Sequence, residues 1–112
     1  MIQAQIAPTK KASSQMRNLY QITLMPNSDT KDLSIRRKMD EADEWFRFGG
    51  YYWIILTDKD ADFWANELVG FCQPDGTLFI CRLDATDRQG WMTKQFWDWL
   101  GKRDADLEKD KA

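Results

Sequence analysis

The chain has no histidine among its 112 residues. That absence removes the usual general base near neutral pH, the Ser-His and Cys-His nucleophile pairs and the commonest zinc ligand. Cys72 and Cys81 are the only thiols, too few for a four-ligand zinc site unless carboxylates or a second chain complete it. Both are expected to be small core hydrophobes in a reducing compartment. Asp58, Asp60 and Asp62 have the spacing that opens a calcium loop, but Phe63 stands where that loop needs glycine and Val69 where it needs glutamate. Acids so placed suit the positive end of a helix dipole instead. The residues alone therefore lead to no metal site, no cofactor and no catalytic group.

Aromatic side chains are the second chemistry on offer. Six Trp, six Phe and three Tyr make up 13% of the chain, and each buried ring removes about 150–250 Å² from water. Such a chain either builds an aromatic core or shows part of this surface to a partner, because monomers seldom leave large apolar patches exposed. Arg47-Phe48-Gly49-Gly50-Tyr51-Tyr52-Trp53-Ile54 lies where RNA-recognition motifs carry their base-stacking octamer, and Leu19-Tyr20 where they carry the shorter motif. Phe48 and Gly49 are transposed against that pattern and Gln21 replaces an aliphatic residue. Lys10, Lys11, Arg17 and Arg47 are the candidate phosphate contacts, set against a formal net charge of −2 that gives a nucleic-acid backbone little to bind.

The elements that would position these residues follow from periodicity. Leu19 to Met25 alternates and stops at Pro26-Asn27, a half-buried strand with Tyr20, Ile22 and Leu24 on one face and Gln21 and Thr23 on the other. Ser28, Asp29 and Thr30 are cap candidates for a helix over about 30 to 42, with Ile35, Met39 and Ala42 on its apolar stripe. Glu44 to Phe48, Gly49-Gly50 and Tyr51 to Thr57 read as a hairpin, since a two-glycine turn supplies the positive φ that tight turns require. The run Tyr51 to Leu56 is apolar on both faces, the mark of a central strand covered on each side. Thr57 or Asp58 can cap a second helix bearing Ala61, Trp64, Ala65 and Leu68 up to Gly70. Pro74-Asp75-Gly76 is a turn, Thr77 to Asp84 a strand, and Thr93 caps a last helix with Phe96, Trp99 and Leu100 inward and Trp97 at the rim.

Strand, helix, strand, strand, helix, strand and a final helix is the split βαβ, or ferredoxin-like, order: an α+β fold with two helices on one face of an antiparallel sheet. A single domain over residues 19–103 is expected, after a basic flexible arm (1–18) that carries three bases and no acid, and before a charged tail (104–112). The open face of the sheet would carry Tyr51, Trp53 and Ile55 beside Gln21 and Thr23, covered by the last helix or a second subunit. With Trp97, those three form the candidate interaction set. No apolar run approaches the roughly 20 residues of a membrane helix and no signal core precedes a cleavage site, so no membrane partner and a cytoplasmic location are expected.

Trp45-Phe46, then Tyr52-Trp53-Ile54-Ile55-Leu56-Thr57-Asp58, Asp75-Gly76-Thr77-Leu78-Phe79-Ile80, Asp87-Arg88-Gln89-Gly90-Trp91 and Trp97-Asp98-Trp99-Leu100 together resemble the small SinR-like proteins. These are related to the CRISPR adaptation endoribonuclease and VapD superfamily. The resemblance covers about residues 19 to 103. It implies a ferredoxin-like subunit that dimerises through sheet edges and, in some members, cleaves nucleic acid with a divalent metal held by an aspartate ending the first strand. Here that stretch is Ile22-Thr23-Leu24-Met25-Pro26, with no carboxylate until Asp29, so a hard cation loses its expected oxygen ligand. The expectation is a non-catalytic interaction protein: a homodimer, or an accessory subunit of a nucleic-acid-related or defence assembly. The alternatives are a metal-dependent nuclease using Asp29, and a small acidic inhibitor or immunity protein that covers a nuclease.

Overall fold

The computed structural model describes residues 5–6 and 16–104. Its elements in chain order are β1 (Gln5–Ile6), β2 (Asn18–Met25), α1 (Asp32–Met39), β3 (Glu44–Phe48), β4 (Tyr52–Thr57), α2 (Ala61–Leu68), a 3-10 turn (Val69–Phe71), β5 (Thr77–Arg82) and α3 (Lys94–Gly101). All pairings are antiparallel and the strand order is β1-β3-β4-β2-β5. Without the two-residue β1, this is the ferredoxin-like order read from the sequence.

Local chemistry accounts for the boundaries. Gly49 and Gly50 take φ of 70° and 79° and turn the β3–β4 hairpin, a conformation that side chains with a Cβ resist. Gly76 is required for space: a Cβ there would sit 2.2 Å from the Met25 carbonyl oxygen and 2.7 Å from that of Cys72. The cap of α2 is Asp60, whose Oδ1 accepts the Phe63 N–H at 2.9 Å, rather than Thr57 or Asp58. Helix α1 is shorter than its apolar stripe predicts and has no side-chain cap. Asn27 takes over that end, its Oδ1 accepting the N–H groups of Asp29 and Thr30, so the chain stays in a turn until Lys31. Thr93 caps α3 as expected, accepting from the Phe96 N–H at 3.2 Å.

The sheet has a core on each face. Under α1 and α2 lie Tyr20, Ile22, Leu24, Trp45, Trp53 and Ile55, packed on Ile35, Met39, Trp64 and Leu68. On the opposite face Leu19, Phe46, Ile54 and Leu56 meet Phe96, Trp99 and Leu100 of α3. The two-sided burial of β4 thus follows from helices on both sides, with α3 as the second cover.

Register corrects one expectation. Ile22 pairs with Trp53 and Tyr20 with Ile55, and directly opposed residues point to the same face. Trp53 and Ile55 therefore lie beneath α1 and α2, 1% and 0% exposed, and Ile54 takes the position beside Gln21. The sheet also extends into the expected leader, because Gln5 and Ile6 pair with Arg47 and Phe46 and cover part of an edge that would otherwise leave backbone groups unpaired.

Candidate interaction surface

The face opposite α1 and α2 is the one on which the chain leaves aromatic side chains accessible. Helix α3 lies over its Leu19–Leu56 half. One wall of this cover is a buried ion pair: Arg103 Nη1 lies against Glu44 Oε2, with both residues over nine-tenths buried, and the guanidinium is 5.2 Å from the Trp99 ring. Phe96 meets Phe46 edge-on at 5.2 Å and Trp97 at 5.3 Å. Trp97 is half-buried at the rim, where the helical angle between it and Phe96 puts it.

Beyond the reach of α3 the same face is bare. Phe79 of β5 is 62% exposed, Met25 of β2 47% and Tyr52 of β4 44%, with Cys81 exposed in line with Phe79. Cys81 thus departs from the core position expected of it, whereas Cys72 is buried and burial pushes its thiol pKa up. The cause is alternation along β5: Leu78 and Ile80 pack on the helix-side core, which turns Phe79 and Cys81 the other way. The signal was present in the sequence as Thr77-x-Phe79-x-Cys81, but only the limited reach of α3 makes it exposed.

Among the described residues, β5 has a hydrogen-bonded neighbour on one side only. The Leu83 N–H donates to the Leu19 carbonyl at 2.9 Å. With the β2–β5 register, the antiparallel alternation then turns the backbone groups of Thr77, Phe79 and Cys81 toward β2 and those of Leu78 and Ile80 toward the open side.

The residues expected to contact nucleic acid are placed otherwise. Lys10 and Lys11 lie outside the described residues, as do 7–15 of the arm and 105–112 of the tail. Arg17 faces Asp43 at 3.5 Å. Arg47 lies on the helix side, its Nη1 donating to Asp32 at 2.9 Å and its Nε to the Gly50 carbonyl at 3.0 Å, with the guanidinium 4.5 Å from the Trp53 ring. These bonds hold the Asp32 carboxyl below its ordinary pKa and leave Arg47 committed to the hairpin, which corrects its assignment as a phosphate contact. Tyr51 is 46% exposed at the hairpin turn. Of the octamer's aromatic residues, Trp53 is interior while Tyr51 and Tyr52 are exposed.

The divalent metal that the resemblance implies does not fit the end of β2. Leu24 is buried, Met25 exposed, and the first carboxylate, Asp29, stands exposed in the turn that Asn27 organises. No three His, Cys, Asp or Glu side chains come together as a metal-holding group among the described residues, and no described helix is long and apolar enough to cross a membrane. Compared with known proteins, the chain matches no family model, no curated protein and no solved structure.

Proposed function

We propose that this protein is a non-catalytic ferredoxin-like interaction module that pairs with a second copy of itself through the open side of β5. The observation that carries the reading is the edge itself. Leu78 and Ile80 direct backbone donors and acceptors outward beside exposed Phe79 and Met25. Natural edge strands are blunted by lysine, proline or bulges, and β5 has no proline and a single charge, Arg82 at its last position. An antiparallel partner strand would satisfy the outward groups and cover Phe79 at once. The resemblance to SinR-like proteins would make such a dimer an accessory subunit of a nucleic-acid-related or defence assembly.

Light scattering on the purified chain tests this reading. The expected result is a particle of twice the chain mass, reduced to a monomer by Phe79→Lys with an unchanged far-ultraviolet spectrum. A short bis-maleimide should link Cys81 of one copy to Cys81 of the other, since any self-pairing centred on Leu78–Arg82 keeps the two thiols within a few residues. A wild-type chain that stays monomeric at high concentration refutes the proposal.

A further inference from the structure

A second surface lies along α3 on this same face of the sheet, and no residue of β5 lines it. Between the sheet, α3 and the segment 83–92 runs a groove of about 380 Å³. Its walls include Phe48, Leu83, Met92, Phe96 and Trp97, and Trp91 stands at it 98% exposed. A tryptophan fully in water leaves most of its 150–250 Å² without cover.

Charge decides what the groove suits. Among the described residues its acids are Asp84 and Asp87, and its base is Arg88. That base is already neutralised, since Arg88 Nη1 donates to Asp104 at 2.7 Å and to the Ala85 carbonyl at 3.1 Å, and these bonds hold the Asp104 carboxyl below its ordinary range. Asp84 is engaged by Thr86, whose N–H and hydroxyl donate to its Oδ1 at 3.0 and 2.6 Å, which leaves Asp87 to face a ligand. A phosphate backbone would meet carboxylates and, among the described groove residues, no cation outside an ion pair, and a purely apolar segment would leave Asp87 without a counter-charge. A guanidinium or ammonium on an aliphatic stem satisfies both features. The stem would lie along the tryptophan rings, with the charge facing their π-systems and the head reaching Asp87.

We infer that this groove binds a basic, arginine-bearing peptide segment of a protein partner, with Trp91 and Trp97 as the aromatic walls and Asp87 as the counter-charge. Arginine is favoured over lysine because its flat, weakly hydrated guanidinium stacks on indole.

Fluorescence anisotropy with a labelled (Arg-Ser)4 peptide tests the inference, alongside the same peptide with citrulline for arginine and a single-stranded oligouridine. The arginine peptide should bind and should weaken as salt rises. The citrulline peptide should bind at least about tenfold more weakly, and Trp91→Ala should cost about tenfold, the scale of one desolvated cation–π contact. Asp87→Lys should cost more than Trp91→Ala. Trp91 and Asp87 are both exposed, so neither variant threatens folding, and unchanged far-ultraviolet spectra verify this. Equal binding of the arginine and citrulline peptides, indifference to Trp91→Ala, no binding of the arginine peptide, or preference for oligouridine would each overturn it. The β5 variant Phe79→Lys should leave peptide binding intact, so loss of the dimer and loss of this site are read separately.

Discussion

Removing one partner of the Glu44–Arg103 pair should cost the fold more than removing both. Glu44 opens β3 and Arg103 follows α3, so the pair fastens the C-terminal helix to the sheet. Among the described residues the Arg103 Nε has no hydrogen-bond partner, and it is fully buried. Glu44→Leu therefore strands a guanidinium in the interior, and breaking a buried pair from one side costs about 3–5 kcal/mol. Replacing both, Glu44→Leu with Arg103→Met, removes the desolvation cost along with the attraction and should return stability to within about 1 kcal/mol of the wild type. A domain this small is stabilised by only about 5–15 kcal/mol in total, and 1 kcal/mol moves the melting midpoint by about 4–8 °C. Glu44→Leu should thus lower the midpoint by more than about 12 °C while the double variant stays close to wild type. Urea titrations followed by tryptophan emission give the free energies, provided the slope with denaturant is the same for every variant. A loss under about 1 kcal/mol for Glu44→Leu, or a double variant as unstable as the sum of the singles, would refute a buried and coupled pair.

Three further outcomes follow from named contacts. The Trp64 indole N–H donates to Thr57 Oγ1 at 3.1 Å with both groups buried, so Thr57→Val should cost about 1–3 kcal/mol in a thermal melt; no loss would mean the indole finds another acceptor. Ellman's reagent on the native chain should label exposed Cys81 at least about tenfold faster than Cys72, which is buried and raised in pKa, with the difference abolished in denaturant. Arg47 depresses the Asp32 pKa below 3.8, so the bond adds stability that is fully present above the ordinary carboxylate range and disappears as pH falls through the depressed value. The stability difference between wild type and Asp32→Asn should accordingly be flat above about pH 5 and shrink in more acid solution; a difference independent of pH would contradict the linkage.

Much of the architecture was legible because one-dimensional patterns carry it. Alternation over Leu19–Met25, the Gly49-Gly50 turn, the stripe Trp64–Leu68 and the Thr93 cap each encode a local preference that packing did not override. Caps were less legible, since Asp58, Asp60 and Ser28 to Thr30 offer several side chains able to accept the same N–H groups, and turn geometry chooses among them.

The candidate surface was the least legible part. Trp53 and Ile55 look available in a strand that is apolar on both faces, because periodicity does not say which alternate set faces which layer. A shift of one residue in pairing exchanges the two sets, and the Ile22–Trp53 pairing made that choice. Composition alone excludes histidine chemistry and fixes how much ring area must be buried in a core or shown to a partner. The order of elements follows from local pattern. Which rings remain in water was decided by three-dimensional coverage: α3 is eight residues long, too short to cover the whole second face, so Phe79 and Met25 are left bare while Phe96 and Trp99 are buried.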